Sequence, residues 1–206
     1  MPDFSSLAGK ARIVPVLTIA DAADAIPLAQ ALVRGGLPVL EVTFRTAAAA
    51  EAIRLIADNV PGAIVGAGTI TQPRHFADAQ KAGAMFGVSP GTTAALVEAA
   101  KDSPLPYLPA AVTAGEVMTL LDAGYAFQKY FPAAAHGGVF GLNQLAGPLP
   151  GVKFCPTGGL DQSNAADFLA CKNVFAVGGS WPAPNKLVEA KAWAEIEALA
   201  KVAAAL

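Results

Sequence analysis

The chain has 206 residues, of which 54% are hydrophobic and 15% charged, and its formal net charge is −2. A typical domain is about 45–50% apolar and about 25% charged, so this composition excludes a disordered chain. The absence of any lysine or arginine cluster argues against a nucleic-acid partner or a membrane surface, and charges interrupt every long apolar stretch. The low charge favours a surface that is partly covered by another subunit.

Cysteine and histidine are both scarce. Cys155 and Cys171 do not form a CxxC pair, so two free thiols in a reducing cytosol are expected. Asp3 stands where a signal peptide needs basic residues, which also favours a cytoplasmic protein. With only His75 and His136 present, a histidine-rich metal site is excluded, whereas a site built on carboxylates is not.

Short β-rich runs alternate with alanine-rich amphipathic runs along the whole chain. An N-terminal extension or short helix is expected over residues 1–11, before the first strand. Eight strands are predicted at 12–18, 39–44, 64–69, 85–90, 106–112, 127–132, 152–157 and 174–180. Eight helices are predicted to begin near Asp21, Thr46, Gln72, Thr92, Ala114, Gly138, Gln162 and Asn185.

Eight successive β-then-α units predict parallel strands joined by right-handed crossovers. Eight strands, eight helices and their loops of ordinary length need roughly 190 residues, which nearly exhausts the chain. We therefore predict a compact single-domain (β/α)₈ TIM barrel over residues 1–206, with its functional site at the C-terminal ends of the strands. An open doubly wound sheet is the alternative, but no GxGxxG follows the first strand.

The second strand carries polar residues on one face. In VLEVTFRT, side-chain alternation places Glu41, Thr43 and Arg45 on the face opposite Val42 and Phe44. The apolar pair suits the helix layer, so the polar face is expected to point at the barrel axis. A carboxylate and a guanidinium there are costly unless they are paired or used in chemistry. A structural ion pair remains the alternative interpretation.

The sixth strand, FQKYFP, places Lys129 between Phe127 and Phe131 on one face. Burial disfavours the charged form of an amine, which makes lysine a nucleophile able to form an imine with a carbonyl. The alternatives are a lysine that extends to the barrel mouth, or a salt bridge to Glu41 without chemistry. Lys153 also lies on a strand, but at its N-terminal end, toward the opposite face of the barrel.

Glycine pairs follow the last two strands, in TGG at 157–159 and GGS at 178–180. Such loops allow close backbone approach and direct N–H groups at a ligand, and barrels commonly hold phosphate at this position. Ordinary tight turns are the alternative. Thr69 at the end of GAGT, and Ser89 and Pro90 in SPG, are supporting rim residues.

Together, EVTFRT, GAGT, SPG, KYFPA, FCPTGG and VGGSW resemble, in order and spacing, the 2-keto-3-deoxy-6-phosphogluconate (KDPG) aldolase family. That family is also known for 4-hydroxy-2-oxoglutarate (KHG) aldolase activity. The resemblance extends from Val14 to Trp181. It implies a class I (Schiff-base) aldolase that reversibly cleaves KDPG to pyruvate and D-glyceraldehyde 3-phosphate. It also implies no metal or other cofactor, a homotrimer, and a place in the Entner–Doudoroff pathway.

The resemblance also implies a role for each matching residue. Lys129 is expected to form the Schiff base, and Glu41 to act as the general acid and base. Arg45 and Thr69 are expected to orient the pyruvate carboxylate, in a pocket that Pro90 shapes. Further expected substrate-binding residues are Phe131 beside the imine, Thr157 near the pyruvate methyl group, and Gly158, Gly159, Gly179 and Ser180 at the phosphate.

Three positions depart from the family pattern. Thr18 stands where some members carry an arginine near the phosphate. Ala134 stands where many members have a polar residue. The segment PAAVT at 109–113 replaces a more usual Pro-Gly turn. These differences concern phosphate binding and the choice of aldehyde. The alternatives that stay open are KHG or the galactonate epimer as substrate, a non-catalytic barrel that binds a phosphorylated ligand, and a metal-dependent isomerase or epimerase.

Overall fold

Eight parallel strands form the centre of the protein in a computed structural model that describes residues 4–10 and 12–206. The strands are β1 (Ile13–Leu17), β2 (Val39–Thr43), β3 (Ile64–Gly68), β4 (Gly87–Val88), β5 (Tyr107–Leu108), β6 (Phe127–Tyr130), β7 (Lys153–Pro156) and β8 (Val177–Gly179). Each lies within one of the eight predicted strands. The shortening is greatest in β4 and β5, which have two residues each.

The strands close into a ring. Six of them pair in the order β5-β4-β3-β2-β1-β8, and β6 pairs with β7. Single-residue bridges complete the circle, Ala110 with Lys129 beside β5 and β6, and Thr157 with Gly178 beside β7 and β8. The predicted (β/α)₈ barrel is confirmed, and the open doubly wound sheet is excluded because β1 pairs with β8 and the two bridges close the ring.

The helices surround this ring. They are α1 (Ser5–Ala8), α2 (Ala25–Arg34), α3 (Ala49–Asn59), α4 (Arg74–Lys81), α5 (Ala94–Lys101), α6 (Ala114–Asp122), α7 (Gly138–Ala146), α8 (Ala165–Leu169), α9 (Asn185–Glu189) and α10 (Trp193–Ala204). The helix predicted to begin near Asn185 is α9, and a further helix that was not predicted, α10, follows it. Lys191 between them has a φ of 54°, a left-handed conformation that a helix cannot continue through.

Local hydrogen bonds explain where two helices begin. Thr113 caps α6 by accepting from the backbone N–H of Glu116, and the Glu116 carboxylate accepts in return from the N–H of Thr113. This reciprocal capping box satisfies donors that the first helical turn leaves unpaired. Thr93 caps α5 in the same way, accepting from the N–H of Leu96.

Two apolar clusters follow from side-chain alternation along the strands. The larger lies between strands and helices and contains Leu40 and Val42 of β2. The smaller lies inside the barrel toward its N-terminal end and contains Val39 of β2. Glu41 and Thr43 share the inward parity of Val39, as predicted, and both are buried. The polar face of β2 therefore begins where the inner apolar cluster ends.

The first residues of the chain are partly described. Within the predicted extension or short helix over 1–11, Ser5–Ala8 are helical, while residues 1–3 and 11 lie outside the described residues. In the described part of the chain, none of the helices combines the length and the apolar character needed to cross a membrane.

Candidate active site

An ion pair lies inside the barrel between β6 and β2. Lys129 Nζ donates to Glu41 Oε1 at 3.0 Å and to Oε2 at 3.3 Å, and each side chain is 5% exposed. Desolvating two charges offsets most of their attraction, so a pair at this depth is poorly explained by stability alone. Its position near the functional rim of a barrel indicates a chemical use.

A glycine makes room for the carboxylate. A Cβ atom at Gly68, the last residue of β3, would overlap the Glu41 side chain. Gly68 was not among the predicted site residues, although it belongs to the GAGT motif. The available signal was a glycine inside a strand, which often marks the close approach of another group.

Arg45 and Thr69 meet above the ion pair at the rim. Arg45 Nε donates to Thr69 Oγ1 at 3.1 Å, and Arg45 is exposed at the cavity mouth. Thr69 has a φ of 58°, which is costly for a residue with a β-branched side chain. Strain of this kind persists where the surrounding structure needs the residue in that conformation. The structure therefore brings together two residues that were both expected at the substrate carboxylate.

A cavity of about 550 Å³ opens at the C-terminal ends of β1, β6, β7 and β8. Seven predicted site residues line it, namely Arg45, Phe131, Thr157, Gly158, Gly159, Gly179 and Ser180. Thr18 lines the same cavity, and its hydroxyl lies 3.2 Å from that of Thr43.

The glycine loops have the close packing that their motif predicts. Gly158 and Gly159 have φ values of 95° and 78°, in the left-handed region that favours glycine. A Cβ at Gly159 would lie 2.5 Å from the Cβ of Ala134, and one at Gly179 would overlap the ring of Trp181. The two loops can therefore approach a ligand only because they lack side chains.

Phe131 lies between this cavity and a second one. Its ring centroid is 5.4 Å from Lys129 Nζ, within the range of a cation–π contact. The second cavity has about 630 Å³ and runs between α5 and α6, lined also by Pro90. Pro90 is thus not brought into the cavity that Arg45 and Thr157 line. The α5/α6 cavity has the larger volume, but none of its described lining residues is basic, whereas Arg45 lines the 550 Å³ cavity. Lys129 lines neither cavity and lies beneath Phe131, which borders both.

Two titratable residues near the site were not predicted as site residues. Burial raises the pKa of the Cys155 thiol to about 12, so the thiol stays protonated beside Lys129, its partner in the β6–β7 register. Asp161 lines the 550 Å³ cavity, and hydrogen bonds from the side chain and N–H of Ser163 lower the pKa of its carboxyl. Over residues 4–10 and 12–206, no three or more histidine, cysteine or acidic side chains are grouped to hold a metal.

Comparisons with a family model, with curated relatives and with solved structures all match this chain to aldolases. The model of a family described as "KDPG and KHG aldolase" matches residues 5–199. A KHG/KDPG aldolase of Escherichia coli K12 is 47% identical, over 93% of this chain and 90% of its own length.

Solved structures agree as well. KDPG aldolase of Legionella pneumophila, with pyruvate captured as a covalent carbinolamine, superposes with a TM-score of 0.94 at 40% identity, covering 97% of each chain. KDPG aldolase of Zymomonas mobilis with 3-phosphoglycerate superposes with a TM-score of 0.92 at 44% identity, covering 98% of this chain and 95% of the other.

The closed (β/α)₈ barrel, with a lysine and a glutamate paired below its C-terminal rim, defines an aldolase-type barrel enzyme. The match of the family model to residues 5–199 identifies the kind of aldolase. The chain belongs to the KDPG and KHG aldolase family, and it is an aldolase, a carbon–carbon lyase.

Proposed function

We propose that this protein reversibly cleaves KDPG to pyruvate and D-glyceraldehyde 3-phosphate through an imine on Lys129. The observation that carries the proposal is the 3.0 Å contact between Lys129 Nζ and Glu41 Oε1 inside the barrel. A carboxylate at this distance can take a proton from the ammonium and leave a neutral amine in a water-poor site.

The reaction then follows from the bonds that must change. The Lys129 amine adds to the C2 carbonyl, and Glu41 returns its proton to the departing hydroxyl, so that loss of water gives a protonated imine. The C3–C4 bond breaks, its electron pair moves into the imine to form an enamine, and the proton of the 4-hydroxyl passes to Glu41. Protonation of C3 and hydrolysis of the imine release pyruvate and restore the free lysine.

The rim residues orient the two ends of the substrate. Arg45, positioned by Thr69, is the cation suited to the pyruvate carboxylate. Phe131 packs beside the imine, Thr157 lies next to the methyl end, and Pro90 supports this wall from the other side of Phe131. Gly158, Gly159, Gly179 and Ser180 form the part of the cavity where backbone N–H groups can face a phosphate.

The choice of substrate rests on this phosphate end. The E. coli relative is named for both KHG and KDPG, and the Zymomonas structure contains 3-phosphoglycerate. A cavity with two glycine loops beyond Thr157 favours the phosphorylated keto acid over KHG. Comparing kcat/KM for KDPG, KHG and the galactonate epimer decides among the three, and a preference for KHG would contradict the proposal.

Trapping tests the covalent step. The protein is incubated with pyruvate and sodium borohydride, and the product is examined by intact mass and peptide mapping. We expect one reduced adduct, on Lys129, and none in a Lys129→Arg variant, while a Lys153→Arg variant reacts like the original. No adduct in the folded protein would favour the non-catalytic barrel, and an adduct on another lysine would refute Lys129 as the nucleophile.

We also propose that the protein is a cytoplasmic homotrimer. Met85, Met118 and Phe140 expose large apolar side chains, and the α5/α6 cavity adds a further apolar surface. Burial of such surface between subunits is favourable and is typical of symmetric oligomers. Light scattering should give three times the chain mass of 20.8 kDa. A monomer at micromolar concentration would contradict this assembly.

A further inference from the structure

The floor beneath the Lys129–Glu41 pair is built partly by a segment outside the barrel. Phe4, the N-cap residue of α1, and Leu7 within α1 pack in the N-terminal end of the barrel, where they are 8% and 7% exposed. Phe4 makes edge-to-face contacts with Phe86 and Phe175, at centroid distances of 5.7 and 6.1 Å. Both partners belong to the inner cluster, so α1 completes a layer that the strands leave open.

A small cavity separates this floor from the ion pair. Its volume is about 20 Å³, Phe4 and Leu7 lie along its wall, and Glu41 and Cys155 line it as well. Its other lining residues are apolar. A buried water needs two to four polar partners, and this cavity offers a carboxylate that is already bonded to Lys129 and a weakly polar thiol. The space below the pair is therefore a poor site for water, because almost all of its lining is apolar.

The apolar lining at this point matters for the chemistry. Electrostatic interactions are much stronger in a water-poor site, and fixed groups then need no solvent reorganisation during reaction. Water entering from below would solvate the ammonium and the carboxylate separately and weaken their contact. The strands alone do not prevent this, because Phe4 and Leu7 lie before β1, at the start of α1 and within it.

We propose that α1 is a functional plug, and that Phe4 is a positioning residue that keeps water from the underside of the Lys129–Glu41 pair. This inference rests on the proposed imine chemistry. Phe4 itself touches no substrate and acts through the pair, so its loss should lower the rate of the chemical steps and leave substrate binding at the rim unchanged.

The test compares three variants of the full chain. Phe4→Ala opens the floor, Phe4→Leu keeps it apolar and filled, and Phe168→Ala is the matched control. Phe168 is also a buried phenylalanine, 5% exposed, but it packs in the outer layer on α8. For each variant we would measure kcat and KM for KDPG cleavage, the rate of imine formation with pyruvate and the melting temperature.

We expect Phe4→Ala to lower kcat and the rate of imine formation about tenfold, with KM changed less than about twofold, the size of a modest loss of electrostatic preorganisation. Phe4→Leu should restore both rates. Phe168→Ala should lower the melting temperature without lowering kcat. If Phe4→Ala does not fold, Leu7→Ala, which removes fewer atoms from the same cavity wall, is measured in its place.

The outcomes separate the two proposals. Normal kcat in a folded Phe4→Ala variant, or an equal loss in Phe168→Ala, would overturn the plug and leave the aldolase mechanism intact. Failure of the unmodified protein to form an imine on Lys129 would instead overturn the proposed function on which the plug rests.

Discussion

The barrel interior has two halves that differ in chemistry, and the Lys129–Glu41 pair lies at their boundary. Above it, Arg45, which donates to Thr69, and the two glycine loops line an open cavity of about 550 Å³. Below it, Phe4, Leu7 and the inner aromatic rings leave about 20 Å³. The open cavity lies on the polar side of the pair, where the predicted substrate-binding residues are. Where the interior is apolar the barrel is filled, and where it is polar the barrel is open.

The difference explains how one lumen serves stability and chemistry together. Packed apolar side chains in the lower half contribute the hydrophobic free energy of burial. The upper half forgoes that packing and contains a strained Thr69 and glycines with positive φ. Proteins concentrate such features at functional sites and offset their cost elsewhere. The effects of substitutions should therefore differ with position: at the boundary on kcat, at the rim on KM, and on the outer surface on stability.

The largest effect is expected at the boundary, from Lys129→Arg. A guanidinium keeps a positive charge beside Glu41, so folding should survive, but it cannot form an imine. Turnover should fall about 10⁴-fold, roughly 5.5 kcal/mol of activation free energy. The matched control is Lys153→Arg, because Lys153 lies at the exposed end of β7, bonded to the carbonyl of Lys172. Steady-state KDPG cleavage measures both, and substantial residual activity in Lys129→Arg would refute the nucleophile.

Glu41→Gln should have the next largest effect. The amide oxygen can still accept from Lys129, but it cannot take up and return a proton, so kcat should fall about 10²–10⁴-fold. Single-turnover measurements locate the loss in the chemical steps. Glu51→Gln, on the exposed surface of α3, is the control and should react normally. A Glu41→Gln variant with unchanged kcat would assign the proton transfers to another group.

A smaller effect is expected at the rim, from Gly159→Ala. The added Cβ would lie 2.5 Å from Ala134, at a residue whose φ is 78°. Displacement of the loop should raise KM for KDPG about tenfold, the loss of roughly one good hydrogen bond to a charged group. A keto acid without phosphate should be unaffected. Gly151→Ala, with no atom within 4 Å of the new Cβ, is the control. An equal loss for both substrates would contradict phosphate binding there.

The smallest effect is expected outside both halves, at the capping box of α6. The N–H groups of Thr113 and Val112 bond to the Glu116 carboxylate and lower its pKa from the usual 4.5. A lowered pKa stabilises the fold above that value, and this contribution is lost as pH falls through the folded-state pKa. Glu116→Gln should cost roughly 1 kcal/mol, or about 2–4 °C in Tm, at neutral pH.

Thermal melts as a function of pH test this last effect. The difference in Tm between the original chain and Glu116→Gln should shrink as pH falls below 4.5. KDPG cleavage at neutral pH should be the same in both proteins. A difference that does not depend on pH would mean that the carboxylate charge contributes nothing to the cap.

The strands and the inward faces of β2 and β6 could be predicted from the sequence, because side-chain alternation is a local signal. The alternation in VLEVTFRT placed Glu41 and Thr43 inward, and Lys129 between two phenylalanines was correctly expected in an apolar lumen. The catalytic and binding roles of these residues were assigned from the family resemblance, and borohydride trapping and the substitutions above test them. The break between α9 and α10 was missed, since a left-handed Lys191 leaves no compositional trace.

What the sequence alone determined is the order of eight strands and helices, and the side chains that each strand turns inward, because periodicity depends only on neighbours along the chain. The tertiary structure decided which inward side chains meet. Register around the closed ring brings Lys129 within 3.0 Å of Glu41, requires Gly68 beside it, and puts Pro90 in a different cavity from Arg45. It also places Phe4 beneath the pair. Contacts across a lumen depend on how the whole ring closes, which no local pattern encodes.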